Sequence, residues 1–313
     1  MDLNIVALAG GVGGAKLADG LAQVLQPEHL SMIVNTGDDF THLGLYVSPD
    51  LDTVCYTLAG MANPATGWGR INETWYVFKE LKKMGMPDWF QLGDADIATH
   101  IIRSIRLKEG CSLSQITNDL CSMWGIKVKV LPMTDDLVHT WVYTNEGELE
   151  FQEYFVHRHC DPEVKGFRFE GAEKSIPAPG VLEAIDHCDA IIICPSNPWV
   201  SIDPILAVPD IKTALEQRAV YAVSPIIGNK TVKGPAAKMF SELGIQPSAL
   251  AVAQHYGSLI RYLVVDNSDL SMVNEINKLG IRSLVTDIFM RDHTDRARLA
   301  EEIVDLIYAD IKG

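Results

Sequence analysis

An α/β fold organised around a mainly parallel sheet is predicted for this 313-residue chain. Three observations predict it. Near the start, the apolar run Ile5-Val6-Ala7-Leu8-Ala9 passes through a glycine-rich turn into a helical pattern. The last third alternates strand-like and helix-like segments, the signature of βαβ units. Loops bearing glycine and proline follow the apolar runs, at the sheet edge where open α/β folds bind ligands.

Each element has its own justification. Residues 3–9 read as the first strand. Leu17, Leu21, Val24 and Leu25 repeat at i, i+4, i+7 and i+8, so residues 14–26 read as a helix, and 31–34 as the next strand. Residues 50–125 carry helical patterns and few strand signals. Residues 138–143 and 148–156 are β-rich and flank Thr144-Asn145-Glu146-Gly147, which reads as a hairpin. Residues 190–194 form a strand apolar on both faces, 208–217 a helix and 219–223 a strand. A helix at 235–243 has proline in its first turn. Segments 259–265, 272–279, 281–285 and 297–311 continue the alternation. The predicted architecture is one Rossmann-like α/β domain over 1–313, with its core drawn from 1–45 and 186–313. A helical insertion occupies about 50–125 and a hairpin-containing insertion about 127–170.

Composition excludes several classes. A formal charge of −15 argues against a nucleic-acid binder, which needs a basic footprint. No apolar stretch is long enough to span a membrane, and the start shows no basic segment leading into an apolar one, so no secretory signal is read. Six cysteines without a C-x-x-C pair read as reduced thiols, and a cytoplasmic location is expected. A symmetric homodimer is the expected assembly.

The chemistry concentrates in loops. Gly10-Gly11-Val12-Gly13-Gly14-Ala15-Lys16 joins the first strand to its helix. Bare amides at a helix N-terminus, with the Lys16 charge, suit a phosphate-bearing ligand, and Gly11, Gly13, Gly14 and Lys16 are the candidates. The loop is not a P-loop, because Leu17 stands where a metal-binding hydroxyl would be; Gly11-x-Gly13 begins a dinucleotide fingerprint, but Lys16 at its third glycine disfavours that reading. Asn35-Thr36-Gly37-Asp38-Asp39 follows the second strand. Adjacent acids there repel unless something neutralises them, so Asp38 and Asp39 are candidate Mg²⁺ ligands. In Ser48-Pro49-Asp50-Leu51-Asp52, Asp50 reads equally as a functional acid and as a first-turn helix acid behind a Ser48 cap.

Ser196 and Asn197, after the most apolar strand, offer short polar groups for a phosphate, ribose or base edge; a plain turn explains the same letters. The loop at 224–235 carries Lys230 and Lys233 before a helix start, again suited to an anion. Trp89 and Phe90 precede a helix running through His100 and suit a flat heteroaromatic ligand, or simply the core. His157, His159, Cys160 and Asp161 are zinc-type ligands crowded too closely for a known zinc spacing.

The ordered set formed by residues 9–17, Asn35-Thr36-Gly37-Asp38-Asp39, residues 48–53, Trp89-Phe90 with Leu92-Gly93-Asp94, Ser196-Asn197-Pro198 and the 224–235 loop resembles the 2-phospho-L-lactate transferase (CofD) family. Ala95 departs from the larger, often basic residue of that family's pattern. The resemblance implies transfer of a phospholactyl group from lactyl-2-diphospho-5′-guanosine to the ribityl hydroxyl of the deazaflavin Fo, releasing GMP, in coenzyme F-420 biosynthesis. Some members use a phosphoenolpyruvyl donor. It further implies Mg²⁺ on Asp38 or Asp39, Asp50 and Lys16 as catalytic residues, and Asp50, Trp89 and His100 around Fo. The GMP half is then expected on Lys230 and Lys233 or on the Ser196-Asn197 turn. Related proteins with the same opening bind UDP-sugars as metabolic regulators, the alternative reading.

Overall fold

The computed structural model describes residues 3–231 and 234–312. Strand β1 (Ile5–Ala9) runs into helix α1 (Gly11–Val24), and β2 (Leu30–Val34) follows. A small hairpin, β3 (Phe40–His42) and β4 (Leu45–Val47), leads to four helices: α2 (Pro49–Leu58), α3 (Tyr76–Lys83), α4 (Asp94–Lys108) and α5 (Leu113–Met123). Then come β5 (Lys129–Pro132) and a three-stranded antiparallel sheet of β6 (His139–Thr144), β7 (Gly147–Glu150) and β8 (Val164–Glu170). Helix α6 (Val181–His187), β9 (Ala190–Ile193), α7 (Asp203–Leu206), α8 (Pro209–Leu215) and β10 (Val220–Val223) resume the alternation. The chain continues with the hairpin β11 (Ile226–Ile227) and β12 (Lys230–Thr231), then α9 (Ala236–Glu242), α10 (Ala249–Tyr256) and β13 (Tyr262–Asp266). Helix α11 (Val273–Lys278), β14 (Arg282–Thr286) and α12 (His293–Lys312) complete it.

Seven strands form the parallel central sheet in the order β14-β13-β10-β9-β1-β2-β5. The α/β, Rossmann-like expectation holds. Alternate residues of β1 feed two cores: Val6 and Leu8 join one, while Ile5, Ala7 and Ala9 join the other with α1 and α12. Both faces are therefore covered, which is why these strands read as unbroken apolar runs. Strand order reverses between β1 and β9, and at such a switch point the two following loops diverge and open a crevice. Those loops are the glycine turn after β1 and the Pro195-Ser196-Asn197 turn after β9.

Two expectations shift. Strand β5 pairs with β2 in the central sheet, so residues 129–132 belong to the sheet and not to the hairpin insertion. The second β-rich run ends early: β7 stops at Glu150, and Glu153–His157 is a helical turn. Phe151 and Phe155 lie four residues apart and stack at 5.4 Å, a helical spacing that β-propensity alone conceals. Among the described residues no helix is long and apolar enough to cross a membrane.

Candidate functional site

A cavity of 660 Å³ lies over the switch point. The glycine turn forms its floor. Gly10 is extended, with φ −159°, and Gly11 turns back at φ +62°, a conformation that glycine adopts without a Cβ penalty. Close approach explains the neighbouring glycines. A Cβ on Gly13 would meet the Pro195 carbonyl oxygen at 2.2 Å, and one on Gly14 the Ser196 hydroxyl at 2.5 Å. Ser196 closes the same junction, accepting from the Gly10 amide at 3.1 Å and donating to the Gly10 carbonyl at 2.7 Å. Gly13→Ala is therefore expected to destabilise the protein by about 1–3 kcal/mol through overpacking. A urea unfolding series checks this, and an unchanged midpoint would contradict the close approach.

Two buried carboxylates, Asp50 and Asp38, line the cavity with this turn, and a third, Asp39, is buried behind them. Asp50, at the start of α2, accepts from the Gly11 amide at 2.6 Å and from Asn35 Nδ2 at 2.9 Å. Burial pushes its carboxyl up to about 6, although the hydrogen bonds from Asn35, Gly11 and Ser201 pull the other way. Asp38 is raised well above the usual range by burial and then by the charges of Asp50 and Asp39. Gln152 Nε2 donates to Asp38 Oδ2 at 3.2 Å. Asp39 is raised by burial too, and it accepts the Ser48 hydroxyl at 2.8 Å. Ser48 thus spends its side chain on Asp39 and does not cap α2, while Pro49 does take the first helical position. Asp39 Oδ1 is buried without a hydrogen-bond partner among the described residues. Such an orphaned oxygen beside mutually repelling acids fits a cation. Among the described residues no three His, Cys, Asp or Glu side chains form a metal cage. Mg²⁺ does not require one, because it is commonly held by one or two carboxylates together with substrate phosphates and water.

Asn35 is the residue that the sequence reading left without a role. It is 0% exposed, and its amide nitrogen reaches Asp50, Asp38 at 3.3 Å and the Val200 carbonyl at 3.2 Å. Its oxygen accepts from the Gly37 amide at 2.8 Å, so the motif folds around its own first residue. Its place at the head of Asn35-Thr36-Gly37-Asp38-Asp39 was the available signal.

Behind Asp50, Asp52 and Arg103 form a buried two-pronged ion pair, with Nη1 at 3.0 Å from Oδ2 and Nη2 on Oδ1. Burial opposes the Arg103 charge, but Asp52 holds its pKa above the usual guanidinium value. His100 sits in this network at 1% exposure. Arg103 can only donate, so His100 Nδ1 accepts at 3.2 Å, and His100 Nε2 lies 3.4 Å from Asp96 Oδ1. His100 touches the cavity wall but is bound into the network.

The cavity brings together Gly11, Gly13, Lys16, Asp38, Asp50, Trp89, His100, Ser196 and Asn197. Lys16 Nζ donates to the Met290 carbonyl at 2.7 Å, which ties the glycine turn to the loop after β14. The Asn197 side chain is engaged as a helix cap, accepting from the Trp199 amide at 3.1 Å. Gly14 and Asp39 lie one layer behind the cavity wall, at the Ser196 junction and against Ser48. Lys230 is exposed on β12, and the wall beside it is made by Thr231, Gly234 and Pro235. Lys233 lies outside the described residues. Trp89 is less open than its sequence suggests: His157 stacks on it at 5.2 Å, and His42 meets it edge-on at 5.1 Å. Asp94 caps α3, accepting from the Val77 amide at 3.0 Å and the Tyr76 amide at 3.1 Å.

A family model described as 2-phospho-L-lactate transferase CofD matches residues 5–304. The chain is 45% identical over 312 residues to a protein of Streptomyces griseus called phosphoenolpyruvate transferase, covering 97% of this chain and 98% of that one. It is 39% identical over 302 residues to a 2-phospho-L-lactate transferase of Methanosarcina acetivorans, covering 96% and 98%. The crystal structure of protein BH3568 from Bacillus halodurans shares the fold, with a TM-score of 0.65 at 17% identity over 97% of this chain and 100% of that one. With the matched family spanning nearly the whole chain, including the glycine turn, the buried acids and the Ser196 loop, the protein belongs to the 2-phospho-L-lactate transferase (CofD) family of transferases.

Proposed function

We propose that the protein transfers a phosphorylated three-carbon acid from a guanosine diphosphate-linked donor to the ribityl hydroxyl of the deazaflavin Fo, a step toward coenzyme F-420. The acceptor oxygen attacks the phosphorus that bears the acid. The O–P bond forms, the bridging P–O bond of the diphosphate breaks, and GMP leaves. The hydroxyl proton passes to Asp50. The observation that carries this reading is Asp50 itself: a buried carboxylate raised to about 6, bonded to the Gly11 amide in a turn suited to a diphosphate. A base near neutrality beside a phosphate cradle is what such a transfer requires.

The remaining residues divide the work. The loop amides and Lys16 would bear the charge that develops on the diphosphate, the main source of catalysis in phosphoryl-type transfer. Asp38 and Asp39 would hold Mg²⁺, which supplies charge neutralisation at the phosphates when bound. Asn35 keeps Asp50 aimed at the turn. The names of the relatives bear on the donor. Those called phosphoenolpyruvate transferase reach 45% identity, against 39% for the lactate enzymes, which favours enolpyruvate over lactate as the acid.

One incubation tests the reading: protein, Fo, Mg²⁺ and either the lactyl or the enolpyruvyl guanosine donor, followed by mass analysis. The expected result is Fo carrying the phosphorylated acid with an equal amount of GMP, faster with the enolpyruvyl donor. No modified Fo from either donor would refute it.

A further inference from the structure

Resting on that reading of the acceptor, we infer that Trp68 is the residue that stacks on the acceptor's flat ring and so selects for it. The rings lining the cavity are mostly spoken for. Tyr56 packs on Trp124 at 5.3 Å, Phe90 on Phe40 at 4.8 Å, and Phe151 on Phe155 at 5.4 Å. Trp89 carries His157 on one face, and Phe289 carries the Arg291 guanidinium at 5.0 Å. Trp68 lines the same cavity, is 46% exposed, and has no ring or cation partner among the described residues. A large indole left half in water at a cavity wall leaves apolar area for a ligand to cover.

The surrounding loop holds Trp68 in place. Gly67 and Gly69 both turn at positive φ, +76° and +68°. The Asn63 amide donates to the Gly69 carbonyl at 3.0 Å, the Gly67 amide to the Asn63 carbonyl at 2.8 Å, and the Thr66 hydroxyl to the Trp68 carbonyl at 2.6 Å. Arg70 fastens the loop to its surroundings, with its guanidinium 5.6 Å from the Tyr56 ring centre and Nη1 donating to the Ala95 carbonyl at 3.3 Å. The indole is thus presented by a hydrogen-bonded turn, with part of the ordering cost met before the ligand arrives.

Spacing relates Trp68 to the chemistry. Asp50, Thr53 and Tyr56 line the cavity along one face of α2, and six residues of helix rise about 9 Å. A ribityl chain whose hydroxyl sits at Asp50 extends along that face and delivers its ring to the level of Tyr56. Arg70 holds the Trp68 loop at that level.

The test is a titration of Fo fluorescence with the intact wild-type, Trp68→Ala and Trp68→Phe proteins, alongside calorimetric titration with GDP. Loss of one aromatic stack is expected to raise the Kd for Fo roughly 5- to 150-fold in Trp68→Ala. Trp68→Phe is expected to recover most of that loss, and GDP affinity to stay at the wild-type value in both variants. In turnover, Trp68→Ala is expected to raise KM for Fo while kcat at saturating Fo changes little. Wild-type affinity for Fo in Trp68→Ala would overturn the inference alone, as would joint loss of Fo and GDP binding. Failure of the wild-type protein to bind Fo would overturn the acceptor reading and the inference with it.

Discussion

Asp50→Asn is expected to lower turnover roughly 10²- to 10⁴-fold, the range for losing a positioned general base, while GDP binding weakens far less. The substitution keeps size and shape but places an amide where the Gly11 amide and Asn35 Nδ2 both donate. The pH dependence gives a second readout. The base works unprotonated, and burial has pushed its carboxyl up to about 6, so wild-type kcat/KM should fall as pH drops through that value. Residual activity of the variant should lack this limb.

Stability moves the other way. The folded pKa of Asp50 lies above its unfolded value of roughly 3.9. Its contribution is therefore fully present below that unfolded value and is lost as pH rises through about 6. Asp50→Asn should lose less stability than wild type between pH 4 and pH 8. Melting curves at the two pH values check this. Equal pH dependence in the two proteins, or full activity in the variant, would remove Asp50 from the role of base.

Arg103→Met is expected to destabilise the protein by about 3–5 kcal/mol, because it leaves the Asp52 carboxylate buried and unpaired. Both residues are buried, and the pair is two-pronged. The same guanidinium donates to His100, so the histidine loses that partner as well. Asp52 lies two residues after Asp50 in the first turn of α2, and its displacement should lower turnover too. The double variant Asp52→Leu with Arg103→Met removes both charges and should recover most of the lost stability. Urea unfolding of the three proteins measures the cycle. A single variant within about 1 kcal/mol of wild type would show that the pair contributes little.

The sheet was legible in the sequence because its strands are buried on both faces and read as continuous apolar runs, as in Ile5–Ala9 and Ala190–Ile193. The glycine turn was legible because close backbone approach leaves a local mark: Gly13 and Gly14 stand where Pro195 and Ser196 leave no room for a Cβ. Long-range pairings leave no such mark. Nothing local links Asp52 to Arg103, 51 residues on, or Lys16 to the Met290 carbonyl, 274 residues on. Exposure was hidden for the same reason. Lys230 reads as an anion ligand by its loop yet points outward on a hairpin, and Trp89 reads as a platform yet is stacked with His157. Asn35 was visible as a letter in a motif. Its hold on Asp50 and Asp38 required the fold.

On the proposed function, the turn after β1, the Ser196 loop and the buried acids form one site for a guanosine diphosphate. A crystal structure of the protein grown with GDP and Mg²⁺ tests it most directly. The diphosphate is expected against the amides of residues 12–14 and Lys16, with the metal density on Asp38 or Asp39. Nucleotide bound elsewhere, with that turn empty, would contradict it.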